Sequence, residues 1–129
     1  MKRRTCLQTM LAGAFAARSR AASKDRPIHL HVDLSVDPAQ EHEMLHNFHT
    51  IFRPAASQQP GFIDVKMLKL RSALSGAAPA GANYRFELTF ASEEQRKAWV
   101  ATDTHQRVWP AIEKTLASKN YTILLYDEA

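Results

Sequence analysis

Nine consecutive residues, Ile28-His29-Leu30-His31-Val32-Asp33-Leu34-Ser35-Val36, alternate apolar and polar without a break. Side chains on a strand point alternately to opposite faces. This period of two therefore predicts a strand with one face on a core. Such a strand needs partners for its backbone and a second layer over its apolar face.

The rest of the chain supplies both. Asp37 can cap a helix and Pro38 suits its first position. Met44, Leu45, Phe48, Ile51 and Phe52 recur at helical spacing, so a helix is expected from about Pro38 to Arg53. Pro54 is expected to end it, with 55–60 as a connector. Gly61 opens a second strand over Phe62–Leu70, whose mixed pattern predicts partial cover on both faces. Residues 72–83, rich in Ala, Gly and Pro, read as a long loop. Tyr84, Phe86, Leu88 and Phe90 alternate with Arg85, Glu87 and Thr89, a third strand. Ser92-Glu93-Glu94-Gln95 has the form of a capping box, and a short helix follows through Trp99 and Val100. Thr102-Asp103 is a second cap, beginning a helix from Thr104 to about Ala117 that Pro110 should kink. Tyr121–Tyr126 reads as a last strand. The order β-α-β-β-α-(α)-β predicts an α+β, ferredoxin-like fold: a four-stranded antiparallel sheet with helices on one face. The other face carries Lys66, His29 and His31 beside apolar neighbours. A second copy of the chain is expected to cover it, giving a homodimer of the dimeric α+β barrel type.

Two adjacent arginines, Arg3 and Arg4, precede the short apolar run Leu11–Ala17, and small residues close it. That is the layout of a secretory leader. Arg3-Arg4-Thr5-Cys6-Leu7-Gln8 resembles the twin-arginine motif, with Cys6 where Phe is usual. Residues 1–21 are therefore expected to be a signal peptide cleaved after Ala21, and 22–129 the domain, periplasmic or secreted. The alternative is a disordered basic N-terminus of a cytoplasmic protein. The apolar run is far shorter than the ~20 residues that span a bilayer, so no stable membrane insertion is expected. The leader holds five of the 17 basic residues and no acid, leaving 12 basic against 13 acidic beyond it. The high isoelectric point belongs to the leader, and no nucleic-acid partner is expected. The single cysteine, Cys6, leaves with the leader, which removes disulfides, a thiol nucleophile and thiolate metal ligation. No Gly-rich phosphate loop, Gly-x-Ser-x-Gly or His-Glu-x-x-His is present.

Three stretches carry a family resemblance: Pro60-Gly61-Phe62-Ile63-Asp64-Val65, then Tyr84 to Phe90 with Ala91-Ser92-Glu93-Glu94, then Trp99-Val100-Ala101-Thr102-Asp103-Thr104-His105. With them the chain resembles the antibiotic biosynthesis monooxygenase (ABM) domain family from Ile28 to Tyr126. The resemblance implies a cleft between sheet and helices. It implies a small aromatic or apolar ligand, oxygenation of it without a cofactor, and self-association. The rival function is non-catalytic binding of a small molecule, haem or a metal. Haem-degrading members have an Asn-Trp-His trio; the first strand here has no Asn, and the trio is not carried over.

His105, bordering that cleft, is the expected catalytic base, since a neutral imidazole moves protons at neutral pH. The alternative is a histidine bonded to backbone near a helix cap. Trp99 and Trp109 are the expected ligand walls, or else core anchors. Tyr84 and Arg85 are candidate donors to substrate. His29 and His31, with Asp33 beyond, share one strand face and could ligate a metal, but the subunit interface is the preferred reading. His42, His46 and His49 share one helical face, turned from the apolar stripe toward solvent. No metal site is assigned.

Overall fold

The computed structural model describes residues 26–129, and the expected leader over 1–21 lies outside them. Four strands, β1 (Ile28–Leu34), β2 (Phe62–Lys69), β3 (Tyr84–Phe90) and β4 (Thr122–Asp127), form one antiparallel sheet in the order β2-β3-β1-β4. With helices between β1 and β2 and between β3 and β4, this is the expected ferredoxin-like fold. Ile28, Val32 and Leu34 of β1 and Tyr84, Phe86, Leu88 and Phe90 of β3 are buried against the helices. The alternate residues of these strands face the other way: His29, His31 and Asp33 lie opposite Thr89, Glu87 and Arg85.

The first helical segment departs from expectation. A 3₁₀ turn (Pro38–Gln40), capped by the Asp37 carboxylate, leads into α1 (Glu41–Asn47), a π-helical turn (Phe48–Phe52) and α2 (Arg53–Ser57). Pro54 therefore does not end the helix. The Arg53 N–H donates to the Phe48 carbonyl, one residue further back than in an α-helix. That widened turn relieves the clash between a proline ring and the carbonyl four residues earlier. Asn47 takes a buried place in the stripe and caps the Ala111 carbonyl through Nδ2 at 3.0 Å, while Ile51 is turned outward.

Other boundaries shift for local reasons. β1 stops at Leu34 because both peptide groups of Val36 are taken by the Asn83 side chain, at 2.7 and 2.9 Å. A bulge between Phe62 and Asp64 breaks the alternation of β2. It displaces Ile63 outward; beyond it Val65 returns to the core. Gly61, at φ +86°, precedes the bulge, and a Cβ there would collide with the Gln95 side-chain amide. α3 (Glu93–Val100) begins at Ser92, whose hydroxyl accepts from the Gln95 N–H. α4 (Asp103–Glu113) contains Pro110 and ends short of Ala117. The Thr115 hydroxyl donates to the Ile112 carbonyl, and Ala117 then turns back to bond Ser35. His42, His46 and His49 are not part of the buried core, as the stripe predicts.

Candidate functional site

The junction of α3 and α4 is set by one hydroxyl. Thr102 Oγ1 donates to the Trp99 carbonyl at 2.7 Å and accepts from the His105 N–H at 3.1 Å. The same atom thus closes one helix and opens the next. The corner holds the Trp99 and His105 rings perpendicular, centroids 5.0 Å apart. Trp99 is buried and its indole N–H has no partner among the described residues. His105 is half-buried, and its Nδ1 is buried without a partner among the described residues. Burial, and secondarily the nearby Arg96 charge, lower the His105 pKa below its ordinary 6.5. The imidazole is therefore neutral at pH 7 and can accept a proton.

These residues border a cavity of about 190 Å³ between the helix-facing side of the sheet and the α3–α4 corner. Leu30, Val32, Phe86 and Leu88 form its floor, with Ile123 of β4 at one side. Trp109 enters from α4, with Phe52 at 6.0 Å and Phe86 at 5.7 Å between ring centroids. The Trp109 indole N–H donates to the Tyr121 hydroxyl at 3.2 Å, which donates to Glu113 at 2.8 Å. Burial is the largest influence raising the Tyr121 pKa, so this group stays protonated at neutral pH. Arg96 also lines the cavity. Its guanidinium is pinned by Glu93 through two bonds of 2.7 and 2.6 Å, leaving its other N–H groups uncommitted.

The structure thus brings His105, Trp99 and Trp109 together and leaves Tyr84 and Arg85 elsewhere. The Tyr84 hydroxyl donates to Glu41 at 2.5 Å; burial and this bond raise its pKa to about 12. Arg85 donates from Nε to Asp33 at 2.9 Å. Both border a different cavity. His29 is engaged with Glu128 and Thr89, and His31 faces Glu87, so with Asp33 on Arg85 the three candidate ligands have three separate partners. No group of three or more His, Cys, Asp or Glu among the described residues is placed to hold a metal. Phe52, Arg96 and Tyr121 are the site residues that sequence reasoning missed. They come from separate elements, and only the helical spacing of Arg96, Trp99 and Val100 could have pointed to one of them.

No family model matches the chain, and no curated protein matches it. Solved structures do. A candidate antibiotic biosynthesis monooxygenase of Caulobacter crescentus CB15 superposes with TM-score 0.64 at 21% identity, over 81% of this chain and 92% of its own. A mutant form of SnoaB, a cofactor-independent oxygenase of Streptomyces nogalater, gives 0.61 at 14% identity, over 78% and 91%. A dimeric ferredoxin-like protein of unknown function from Jannaschia sp. CCS1 gives 0.62 at 18% identity, over 80% and 98%. At these identities the likeness is one of fold, and the fold of this chain is that of the ABM-type structures.

Proposed function

We propose that the chain is an exported, self-associating ABM-type protein whose aromatic-walled cavity binds a flat, mostly apolar small molecule and oxygenates it without a cofactor. The observation that carries this reading is a neutral, half-buried imidazole beside an otherwise apolar cavity, with a pinned guanidinium near it. An apolar cavity of ~150 Å³ accepts benzene, so the size here suits one or two fused rings. The substrate would carry a phenolic hydroxyl conjugated with a ring C–H. His105 takes the hydroxyl proton, and Arg96 stabilises the resulting phenolate. The phenolate passes one electron to dioxygen, and the two radicals join in a C–O–O bond at that ring carbon, the peroxide taking a proton back from the imidazolium. Loss of water, with the hydrogen of that carbon, then leaves a second carbonyl, with one atom of the dioxygen in the product and one in the water. The apolar walls exclude bulk water from the anion.

The test is dioxygen uptake with one- and two-ring hydroquinones and hydroxynaphthalenes. Protein-dependent uptake with a carbonyl product is expected, reduced by ~10²–10⁴-fold in His105→Ala. One observation favours the non-catalytic reading: a catalytic base is generally oriented by a third group, and His105 Nδ1 has none among the described residues. Saturable binding of these compounds without oxygen uptake would select that reading.

A further inference from the structure

We propose that Phe52 sets how many fused rings the apolar cavity accepts, and that it limits the ligand to two. The proposal rests on the reading of that cavity as a ligand site and names the side chain that fixes its size.

Met44, Phe48, Phe52 and Ala56 stand four residues apart, and each is at most 1% exposed. An α-helix turns by about 100° per residue, so residues four apart drift by about 40° at each step. A regular helix would spread these four over about a third of its circumference. The π turn takes up that drift. Its bond from the Arg53 N–H to the Phe48 carbonyl spends one extra residue on the turn. Phe52 is thereby carried into line with Phe48, their rings at 13° with centroids 6.3 Å apart, while Ile51 is left facing outward. Widened turns of this kind occur frequently at functional sites.

So placed, one ring meets both tryptophans and the histidine of the site. Phe52 lies roughly perpendicular to Trp99, His105 and Trp109, at 6.0, 6.5 and 6.0 Å between centroids, and to Phe86 of the floor at 5.2 Å. It borders the cavity. Close-packed on these neighbours, it is a fixed wall and not a gate, because swinging it aside would displace a tryptophan. The cavity of about 190 Å³ is only modestly larger than the ~150 Å³ that holds benzene. A third fused ring would need the volume that Phe52 fills.

Phe48 is the internal control. It has the same chemistry and the same burial, and it packs on Phe86 at 6.3 Å, but it lies outside the cavity's border. Truncating either ring removes core contacts; only truncating Phe52 adds room to the cavity.

The experiment is equilibrium dialysis without dioxygen, so that binding is read in the absence of turnover. The probes are 2-hydroxynaphthalene and 2-hydroxyanthracene. The parent should bind the two-ring compound at least about tenfold more tightly, since the third ring overpacks the site. Phe52→Ala should erase or reverse that preference, and Phe52→Leu should narrow it. Phe48→Leu should keep the parent's ratio even where its melting temperature falls. Circular dichroism reports folding, and Phe52→Leu decides the matter if Phe52→Ala does not fold. An unchanged ratio in a folded Phe52 variant would overturn the proposal, as would an equal change in Phe48→Leu or a parent that binds both probes alike. Loss of fold in both Phe52 variants would make this ring a core residue alone and overturn it too. A parent that binds neither probe would overturn the ligand-site reading along with it, whereas binding with an unmoved ratio would overturn only the role of Phe52.

Discussion

His105 is kept neutral by burial and by the Arg96 charge, and this has a consequence for stability as well as for chemistry. Its folded-state pKa lies below the unfolded value, so the unfolded chain binds more protons in the window between them. The stability this group contributes is complete above pH ~6.5 and is lost as pH falls through the folded-state value. His105→Gln should therefore lose less stability than the parent between pH 7 and pH 5. Denaturant melts at several pH values check this, and parallel curves would show that His105 is not desolvated in solution. Tyr84 makes the complementary case. Its hydroxyl serves Glu41, which Lys69 also holds at 2.8 Å. Tyr84→Phe should cost about 0.5–1.5 kcal/mol of stability, one ordinary hydrogen bond, and should leave ligand affinity at the apolar cavity unchanged. A loss of affinity there would return Tyr84 to the substrate site.

The helix corner depends on Thr102 in a way that the strands do not depend on any single hydroxyl. Thr102→Val keeps the shape but removes the donor to Trp99 and the acceptor for His105. It should cost about 0.5–2 kcal/mol, the usual worth of an N-cap. It should also weaken ligand binding, because the Trp99–His105 geometry rests on the same atom; a stability loss with intact affinity would separate cap from site. This corner was legible in the sequence because caps act over three residues, as were β1 and β3, where burial of one face enforces period two. The π turn was not. Nothing in Phe48–Phe52 marks a widened turn, and Pro54 reads as a stop unless that turn is known. The bulge at Ile63 hid for the same reason: one inserted residue breaks the alternation without a glycine inside the strand. The roles of Tyr84 and Arg85 lay beyond local reading, since their partners Glu41 and Asp33 stand 43 and 52 residues away. Phe52, Arg96 and Tyr121 meet only after folding.

At the scale of the whole molecule, two proposals concern what lies outside one folded chain. If residues 1–21 are a twin-arginine leader, Arg3→Lys with Arg4→Lys should retain the full-length chain in the cytoplasm, while the parent yields a mature protein beginning at Ala22. Intact mass of each fraction decides it. The second proposal is the homodimer. β4 is an edge strand, and every residue in it is exposed. Ile123, Leu124, Leu125 and Tyr126 keep 55, 41, 46 and 47% of their surface in water, unusual for four adjacent large apolar side chains. Leu124 and Tyr126 pair with His31 and His29, so they share the open face of the sheet with Leu68. The charged groups there would not oppose burial. Arg85 already has Asp33 and Lys66 has Asp64, so a second copy would cover these as pairs rather than lone charges. Obligate homodimers bury upwards of ~2,000 Å² in total. Leu124→Glu with Tyr126→Glu should therefore convert a dimer at micromolar concentration into a monomer that keeps its helical and sheet content, because neither side chain belongs to the core. Light scattering with circular dichroism reads both quantities, and a parent protein that is already a stable folded monomer would remove the barrel from this account.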